Sequence, residues 1–193
     1  MSYLRKIEYK IIPDESFIII RNCSGCGCKT SFHNTNCFRV NANGRKIDVW
    51  LVYQCTKCKH TCNLTIYERL NPESISKQEY EMFLNNDPVL ALRYGTDRQL
   101  FSANKMEVSW ADLHYSIERD AENPDSERAA FQKDDLIVIR NIHALKVRTE
   151  KIVAEVLNVT RANLKMLCNS GAVVFTEDKR CHTVTLEIMK QIA

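Results

Sequence analysis

Two Cys-x-x-Cys pairs constrain the fold of this chain more than any other feature of its sequence. Cys23 and Cys26 form the first pair, and Cys55 and Cys58 form the second. Each pair can make a tight turn that presents two thiolates, and Zn²⁺ prefers four soft ligands arranged in a tetrahedron. Between the pairs, an Asn-Gly step at 43–44 separates two runs rich in β-branched and aromatic residues, which is typical of a β-hairpin. Because a hairpin of this length returns the chain to the first turn, the pattern predicts a zinc ribbon.

A site closed by four thiolates has no coordination position for a substrate, so the predicted zinc is structural. Free or redox-active thiols are the alternative, but a thioredoxin-type pair begins a helix, whereas strands are expected here. Cys37 and Cys62 are expected to face a core, as unpaired cysteines usually do. The sequence leaves open whether a nearby residue replaces one of the four ligands. The candidates for such a replacement are Cys28, His33, Cys37, His60 and Cys62.

The cysteine count and the hydropathy of the chain bear on its compartment. The 193 residues include nine cysteines, an odd number, and a reducing cytosol disfavours disulfides, so metal thiolates are the favoured use. No run approaches the roughly 18 apolar residues that a membrane span needs. The first residues also lack the apolar stretch of a secretion signal. We therefore expect a cytoplasmic protein without a membrane partner.

The pattern of apolar residues predicts an α+β fold in three segments. Strands with alternating apolar residues are followed by helical spacing that Pro88 should break into two or three short helices. A polar, turn-rich stretch at 119–128 is predicted to be a linker or an exposed loop. Whether the segments pack as one body is left open. The segments are an antiparallel zinc-ribbon sheet at 1–72, a helical middle with the linker at 73–133, and a small helix-helix-strand module at 134–193.

Two short amphipathic helices are predicted in the last segment, near 149–157 and 161–169. Thr149 and Thr160 are suitable N-caps, and Gly171 is suited to ending the second helix. Each helix has one apolar side and one basic side, and such a basic surface could hold a phosphate backbone. A solvated basic face without a partner is the other interpretation. The residues assigned to the basic surface are Arg148, Lys151, Arg161 and Lys165.

Charge is distributed unevenly along the chain. Residues 1–70 carry a net charge of +6, residues 71–133 carry −5 and residues 134–193 carry +2, which gives the total of +3. Basic segments on either side of an acidic middle suit a charged partner such as nucleic acid. The charge pattern therefore favours the same class of partner as the basic helices.

Four short runs in the last segment resemble a known RNA-binding module. They lie at 148–152, 157–161, 164–165 and 167–173. With them, the span 145–173 resembles the RNA-binding module of small-subunit ribosomal protein four, which places a Ser/Thr-Arg step at its second helix. The resemblance implies RNA contact through Arg148, Lys151, Arg161 and Lys165. It departs from that module at 174–178, where two acids stand in place of a common Asn-Gly turn.

A second resemblance extends over nearly the whole chain. It is carried by the runs at 38–44, 49–55 and 64–69. Through them the chain is similar to a bacterial family catalogued as domain of unknown function 1062. The resemblance implies a shared fold and a bacterial cytoplasmic setting, and it assigns no activity.

Three functions are compatible with these features. The favoured one is a non-catalytic, zinc-stabilised RNA-binding protein that uses its C-terminal module. The alternative is an adaptor that docks a protein partner, to which Trp50 or Trp110 could contribute, although interior packing is the expected role of both tryptophans. An enzyme is the third, but the sequence has no Gly-rich phosphate loop, no His-Glu-x-x-His motif and no nucleophile elbow.

Overall fold

The computed structural model of the chain describes residues 5–111, 113–120 and 130–191, apart from the side chain of Asn43. These residues divide into two units. Unit 1 combines the described parts of Met1–Ile12 and Tyr115–Ala193, and unit 2 consists of the described parts of Pro13–His114. Strands and helices occur in both units, which confirms the α+β class. Most of the predicted linker, at 121–128, lies outside the described residues.

Unit 2 is built on a five-stranded antiparallel sheet. In the strand Lys46–Cys55, which adjoins the central strand, side chains alternate strictly between buried and less buried positions, because one face of the sheet covers a core. The predicted hairpin is confirmed at Gly44, whose φ of +61° lies in the left-handed region that tight hairpin turns require. In spatial order the strands are β5 (Thr61–Leu70), β4 (Lys46–Cys55), β3 (Cys28–Asn43), β2 (Ile19–Cys23) and β6 (Glu107–Val108).

Three short helices lie between β5 and β6 along the chain of unit 2, as the sequence predicted. They are α1 (Lys77–Leu84), α2 (Pro88–Gly95) and α3 (Arg98–Ala103), and a 3₁₀ turn at Pro72–Ser74 precedes them. Pro88 is the first residue of α2, where its missing N–H costs nothing. Each helix begins at a side chain that accepts a backbone N–H. These N-caps are Ser76, Asp87 and Asp97.

An aromatic core joins the helices of unit 2 to its sheet. Phe83 stacks on Tyr94 with ring centroids 5.7 Å apart, and Phe101 meets the buried Tyr53 edge-on at 6.0 Å. Gly95 allows the closest approach, because a Cβ at that position would lie 2.2 Å from the Ser16 hydroxyl oxygen. The sheet face that carries the buried side chains is therefore covered by the three helices.

Unit 1 is a five-stranded mixed sheet with two helices. Strand β1 runs parallel to β8, while β10 pairs antiparallel with both β8 and β9. Helices α4 and α5 contact each other, and α5 contacts β9. The strands in spatial order are β7 (Tyr115–Arg119), β1 (Arg5–Pro13), β8 (Asp135–Arg140), β10 (Thr183–Ile188) and β9 (Val173–Asp178), and the helices are α4 (Thr149–Val156) and α5 (Arg161–Asn169).

Both helices of unit 1 were predicted within a residue of their observed bounds, but only one N-cap was predicted correctly. Thr160 caps α5 by accepting the N–H of Asn163 at 3.2 Å. Gly171 follows α5 with a φ of +66°, as expected of a residue that ends a helix. The prediction for Thr149 was wrong, since this residue is the first of α4 and its hydroxyl donates to Glu177 at 2.8 Å. The cap position is held by Arg148, which makes no capping hydrogen bond through its side chain.

A bidentate ion pair joins β1 to β8 in unit 1. The Arg5 guanidinium donates to both carboxylate oxygens of Asp135, at 2.9 Å and 2.5 Å. The N–H of Gln132 donates to the same carboxylate at 2.8 Å. Asp135 is fully buried, so these hydrogen bonds replace the water that its charge would otherwise need.

The two units divide the chain differently from the three predicted segments. The helices expected to form a separate middle segment contact β3, β4, β5 and β6 of unit 2. Strand β1, assigned from sequence to the ribbon segment, pairs with β8 in unit 1. Both differences come from contacts between residues far apart in sequence, which local patterns do not reveal.

Candidate metal centre

The structure brings the four predicted thiols of unit 2 together. The Sγ atoms of Cys23 and Cys58 are 3.4 Å apart, and those of Cys26 and Cys55 are 3.8 Å apart. All four sulfurs lie within 4.8 Å of one another. Zn–S bonds of about 2.3 Å in a tetrahedron place neighbouring sulfurs about 3.8 Å apart. The cluster therefore has the size needed to surround one metal ion.

Two turns of similar backbone geometry hold the cysteine pairs. Cys23 ends β2, and the N–H of Gly27 donates to the Cys23 carbonyl at 2.8 Å. Cys55 ends β4, and the N–H of Lys59 donates to the Cys55 carbonyl at 3.2 Å. The residue four positions after the first cysteine is left-handed in both turns, with φ of +68° at Gly27 and +64° at Lys59. Each turn thereby points two sulfurs toward the other pair.

Crowding of the thiols and hydrogen bonds from backbone amides shift the pKa values of the thiols in opposite directions. The neighbouring Cys58 thiol, together with burial, raises the pKa of Cys26 to about 12. Burial likewise raises the pKa of Cys23. Burial also acts to raise the pKa of Cys55, but amide hydrogen bonds from Cys58 and Lys57 outweigh it and lower that pKa to about 6. The amides beside Cys55 thus favour its thiolate form, and a bound divalent cation would favour deprotonation of its thiol ligands and release protons.

Gly25, inside the first turn, is required by the close approach of the second pair. A Cβ at this position would lie 2.9 Å from the Cys58 sulfur and 3.4 Å from the Cβ of His60. We expect Gly25→Ala to weaken metal binding about 10–100-fold, the range typical of changes beside metal ligands. Competition against a chromogenic chelator would measure the change.

The neighbouring Ser24 provides a matched control for this substitution. Its hydroxyl lies 2.9 Å from Nε2 of His60, and both side chains are exposed. Ser24→Ala removes this surface hydrogen bond without adding an atom near the sulfurs, so metal affinity should stay within about twofold of the parent. Equal affinities for the Gly25 and Ser24 variants would contradict the steric role of Gly25.

None of the five replacement candidates belongs to the cluster. Among the residues that the structure describes, only the four predicted cysteines bring ligand atoms together. Cys28 and His60 are exposed beside the site, and His33 is half-buried. The predicted core position of Cys37 was wrong, because it is exposed and its thiol donates to the Thr35 carbonyl at 3.5 Å. Cys62 is half-buried, and burial raises its pKa.

The four residues predicted to contact RNA are exposed in unit 1, but they are not equivalent. The Lys151 ammonium lies 3.7 Å from Glu155 and 4.8 Å from the centre of the Tyr115 ring. Arg148 precedes α4, whereas Arg161 and Lys165 lie one turn apart on α5. No described acid lies within salt-bridge distance of these last three. As far as the described residues show, three of the four cations are therefore available to a partner.

Sequence reasoning missed the roles of two residues in the metal centre. Lys59 takes the left-handed conformation that Gly27 takes in the first turn, and Gly25 admits the Cys58 sulfur. Lys59 directly follows the second cysteine of its pair, as Gly27 does in the first pair, and this equal spacing was the available indication of its conformation. A glycine between two ligand cysteines was the indication for Gly25.

One known protein family matches this chain over most of its length. The model of the family described as "Protein of unknown function (DUF1062)" matches residues 40–179. The chain belongs to the DUF1062 family. In this DUF1062 protein the matched region contains the second cysteine pair and both helices of unit 1. No curated protein and no solved structure matches the chain.

The length and hydropathy of the observed helices show whether any of them could span a membrane. Within the described ranges, no helix of this DUF1062 protein is both long enough and apolar enough to cross a membrane. The longest helix of those ranges, α5, has nine residues.

Proposed function

We propose that the four cysteines hold one structural Zn²⁺ ion in this DUF1062 protein. The observation that carries this proposal is the set of four sulfurs within 4.8 Å, drawn from two turns of similar backbone geometry. Tetrahedral sites with four sulfurs select zinc or iron among the common metals. Zinc binding would neutralise the charge of two thiolates and fix the ends of β2 and β4 together. A four-sulfur shell leaves no position for a substrate, so the role is stabilisation.

Elemental analysis of the purified full chain tests the metal and its identity. We expect one zinc per chain from cells grown without added metal, and we expect the protein to be colourless. Substoichiometric metal in protein purified under reducing conditions would contradict the site. One iron per chain, with the visible absorption of an iron–thiolate centre, would contradict the choice of zinc.

We further propose that the protein is a non-catalytic RNA-binding protein whose contact surface is the basic face of α4 and α5. Support comes from Arg148, Arg161 and Lys165, which are exposed and have no described acid within salt-bridge distance. Arg148 and Arg161 lie at helix starts, and Lys165 lies one turn after Arg161. Helix N-termini add partial positive charge to such a surface. Glu177 reduces this charge, although one of its oxygens is engaged by the Thr149 hydroxyl.

A double charge reversal tests the RNA surface. We expect Arg161→Glu with Lys165→Glu to weaken binding to a pool of structured transfer and ribosomal RNA, measured by fluorescence anisotropy. If each side chain neutralises one phosphate, the slope of log K against log salt should fall by about 2. Lys77→Glu with Lys105→Glu changes the same charge on exposed positions of unit 2 and serves as the control.

The control decides between a specific surface and general electrostatics. An equal loss in both double variants, or no loss in either, would contradict the assignment of the site. A protein partner recovered with the chain after nuclease treatment, and lost in neither variant, would instead support the adaptor function.

A further inference from the structure

A groove on the sheet of unit 2 has no role in the functions proposed above. It has a volume of about 480 Å³, within the usual range of ligand pockets. It lies on the face of β4 opposite the buried side chains, and three successive outward residues of that strand form its floor. Residues from the middle and the end of β5 form its wall. The lining residues are Lys46, Asp48, Trp50, Thr65, Glu68 and Arg69.

Trp50 presents its ring to this groove. The expectation that both tryptophans pack in the interior fails here, because Trp50 is only half-buried and lies on the outer face of the sheet. Its neighbours across the strands are Arg39 on β3, which is exposed, and Thr65 on β5. Trp110, by contrast, packs on Phe17 with ring centroids 5.3 Å apart. A large aromatic ring flanked by cations on a sheet surface is typical of a stacking platform.

The edge strand β5 departs from regular pairing beside this ring. Trp50 pairs with Thr65, Val49 with Tyr67 and Ile47 with Leu70, so β5 has one extra residue in each of these two intervals. Arg69 lies in the irregular stretch with a φ of +49°, a conformation that is strained for a residue with a Cβ. The N–H of Arg69 donates to an oxygen of Asp48 at 2.7 Å. Irregularities of this kind redirect side chains. Here the side chains of two consecutive residues, Glu68 and Arg69, both border the groove.

The wall of the groove is also fixed from behind. The N–H of Thr65 donates to the side-chain oxygen of Asn104 at 2.9 Å, and the side-chain nitrogen of Asn104 donates to the Thr65 carbonyl at 2.9 Å. One amide side chain thereby satisfies both backbone groups of an edge-strand residue. The Thr65 side of the groove is held in place before any ligand binds, which lowers the entropic cost of binding.

We propose that this groove is a ribonucleotide-binding site. The base would stack on Trp50, and the phosphate would be held by the cations of Lys46 and Arg69. The second oxygen of Asp48 and the carboxylate of Glu68 would accept hydrogen bonds from the ribose hydroxyl groups. The site lies in unit 2 and is independent of the basic face of α4 and α5. The same chemistry is offered by a free mononucleotide and by one residue of single-stranded RNA.

Fluorescence of Trp50 tests the site directly. In a Trp110→Phe variant of the full chain, Trp50 is the only tryptophan. We expect saturable quenching of its emission when AMP or a short oligoadenylate is added. Similar affinity for both ligands would assign the site to a free nucleotide. Oligoadenylate affinity at least tenfold higher, with a steep salt dependence, would assign it to single-stranded RNA. Emission unchanged by either ligand up to millimolar concentration would overturn the proposal.

Variants separate the groove from general attraction of anions. Trp50→Leu should weaken binding, measured by calorimetry, about tenfold or more, as expected for the loss of one stacked base. Lys46→Ala should also weaken it, whereas Arg45→Ala, at an exposed neighbour outside the groove, should not. Equal effects of the two substitutions would overturn the site.

Arg69→Gly should raise stability and lower nucleotide binding, a combination that unfolding of the protein could not produce. Glycine relieves the strained left-handed backbone at this position, so the melting temperature of unit 2 should rise. Nucleotide binding should fall at the same time because the guanidinium is lost. A variant that is more stable and binds AMP or oligoadenylate as tightly as the parent would remove Arg69 from the site and contradict the proposed phosphate contact.

Discussion

Replacing Cys55 by serine is expected to abolish stoichiometric metal binding and to unfold the turns that carry the cysteine pairs. A serine hydroxyl is a poor substitute for the thiolate whose pKa the Cys58 and Lys57 amides hold low against burial. Apparent binding energies of structural zinc are about 10–16 kcal/mol in small peptides, comparable to the total stability of a domain. Loss of the ion should therefore destabilise unit 2 by several kcal/mol. Metal analysis combined with urea unfolding, followed by tryptophan emission, would measure both effects.

Cys28→Ser is the matched control for this prediction. Cys28 is exposed and lies directly across the strands from Cys23, but its sulfur does not belong to the cluster. This variant should keep one metal per chain and a free energy of unfolding within about 0.5 kcal/mol of the parent. Metal loss in the Cys28 variant, or full retention in the Cys55 variant, would contradict the assigned ligand set.

Removing the buried carboxylate of unit 1 is expected to have the second largest effect. In Asp135→Ala, the Arg5 guanidinium loses both acceptors and the Gln132 N–H loses its partner. Breaking a fully buried ion pair costs about 3–5 kcal/mol, but the Arg5 side chain is 27% exposed and can be partly hydrated. We therefore expect a loss of about 2–3 kcal/mol, measured by urea unfolding and by hydrogen exchange of β8 amides. Glu118→Ala, at an exposed position on β7, should change stability by less than about 0.5 kcal/mol.

The effect of Asp135 should depend on pH in a defined direction. Burial acts to raise the pKa of this carboxyl, but the Arg5 and Gln132 hydrogen bonds outweigh it and hold that pKa below its ordinary value. A group whose pKa is lowered by folding stabilises the folded state above its unfolded pKa of about 3.9. That contribution is lost as the pH falls through the folded pKa. The cost of Asp135→Ala should thus be constant from pH 5 to 7 and shrink below about pH 4, and a cost that grows on acidification would contradict this account.

Local features of the fold were predictable because their causes are local. Pro88 marks the start of α2, Thr160 caps α5, and Gly44 takes the left-handed conformation that the hairpin turn requires. In each case a side chain within four residues determines the backbone conformation. The proximity of the four thiols follows from the same reasoning, since each Cys-x-x-Cys step makes its own turn and the hairpin joins the two.

The remaining features depend on partners that are distant in sequence. Thr149 could cap α4, but its hydroxyl instead meets Glu177 on β9. Trp50 is large and mostly apolar, as core residues usually are. Only the pairing of β4 with its neighbours shows that this residue lies on the outer face. The pairing of β1 with β8 spans most of the chain, and no periodicity in either strand indicates its partner.

This last pairing has a consequence for how the protein is made. Strand β1 belongs to unit 1, but the ribosome must translate all of unit 2 before the partner strand β8 exists. Unit 2 is a continuous stretch of chain and can fold as soon as it leaves the exit tunnel, whereas Arg5–Pro13 must wait unpaired during that time. Its alternating apolar side chains, including Ile7 and Ile11, are exposed to other nascent chains in that interval. The charged residues that precede and separate these isoleucines, Lys6, Glu8 and Lys10, oppose intermolecular pairing until β7 and then β8 have been made.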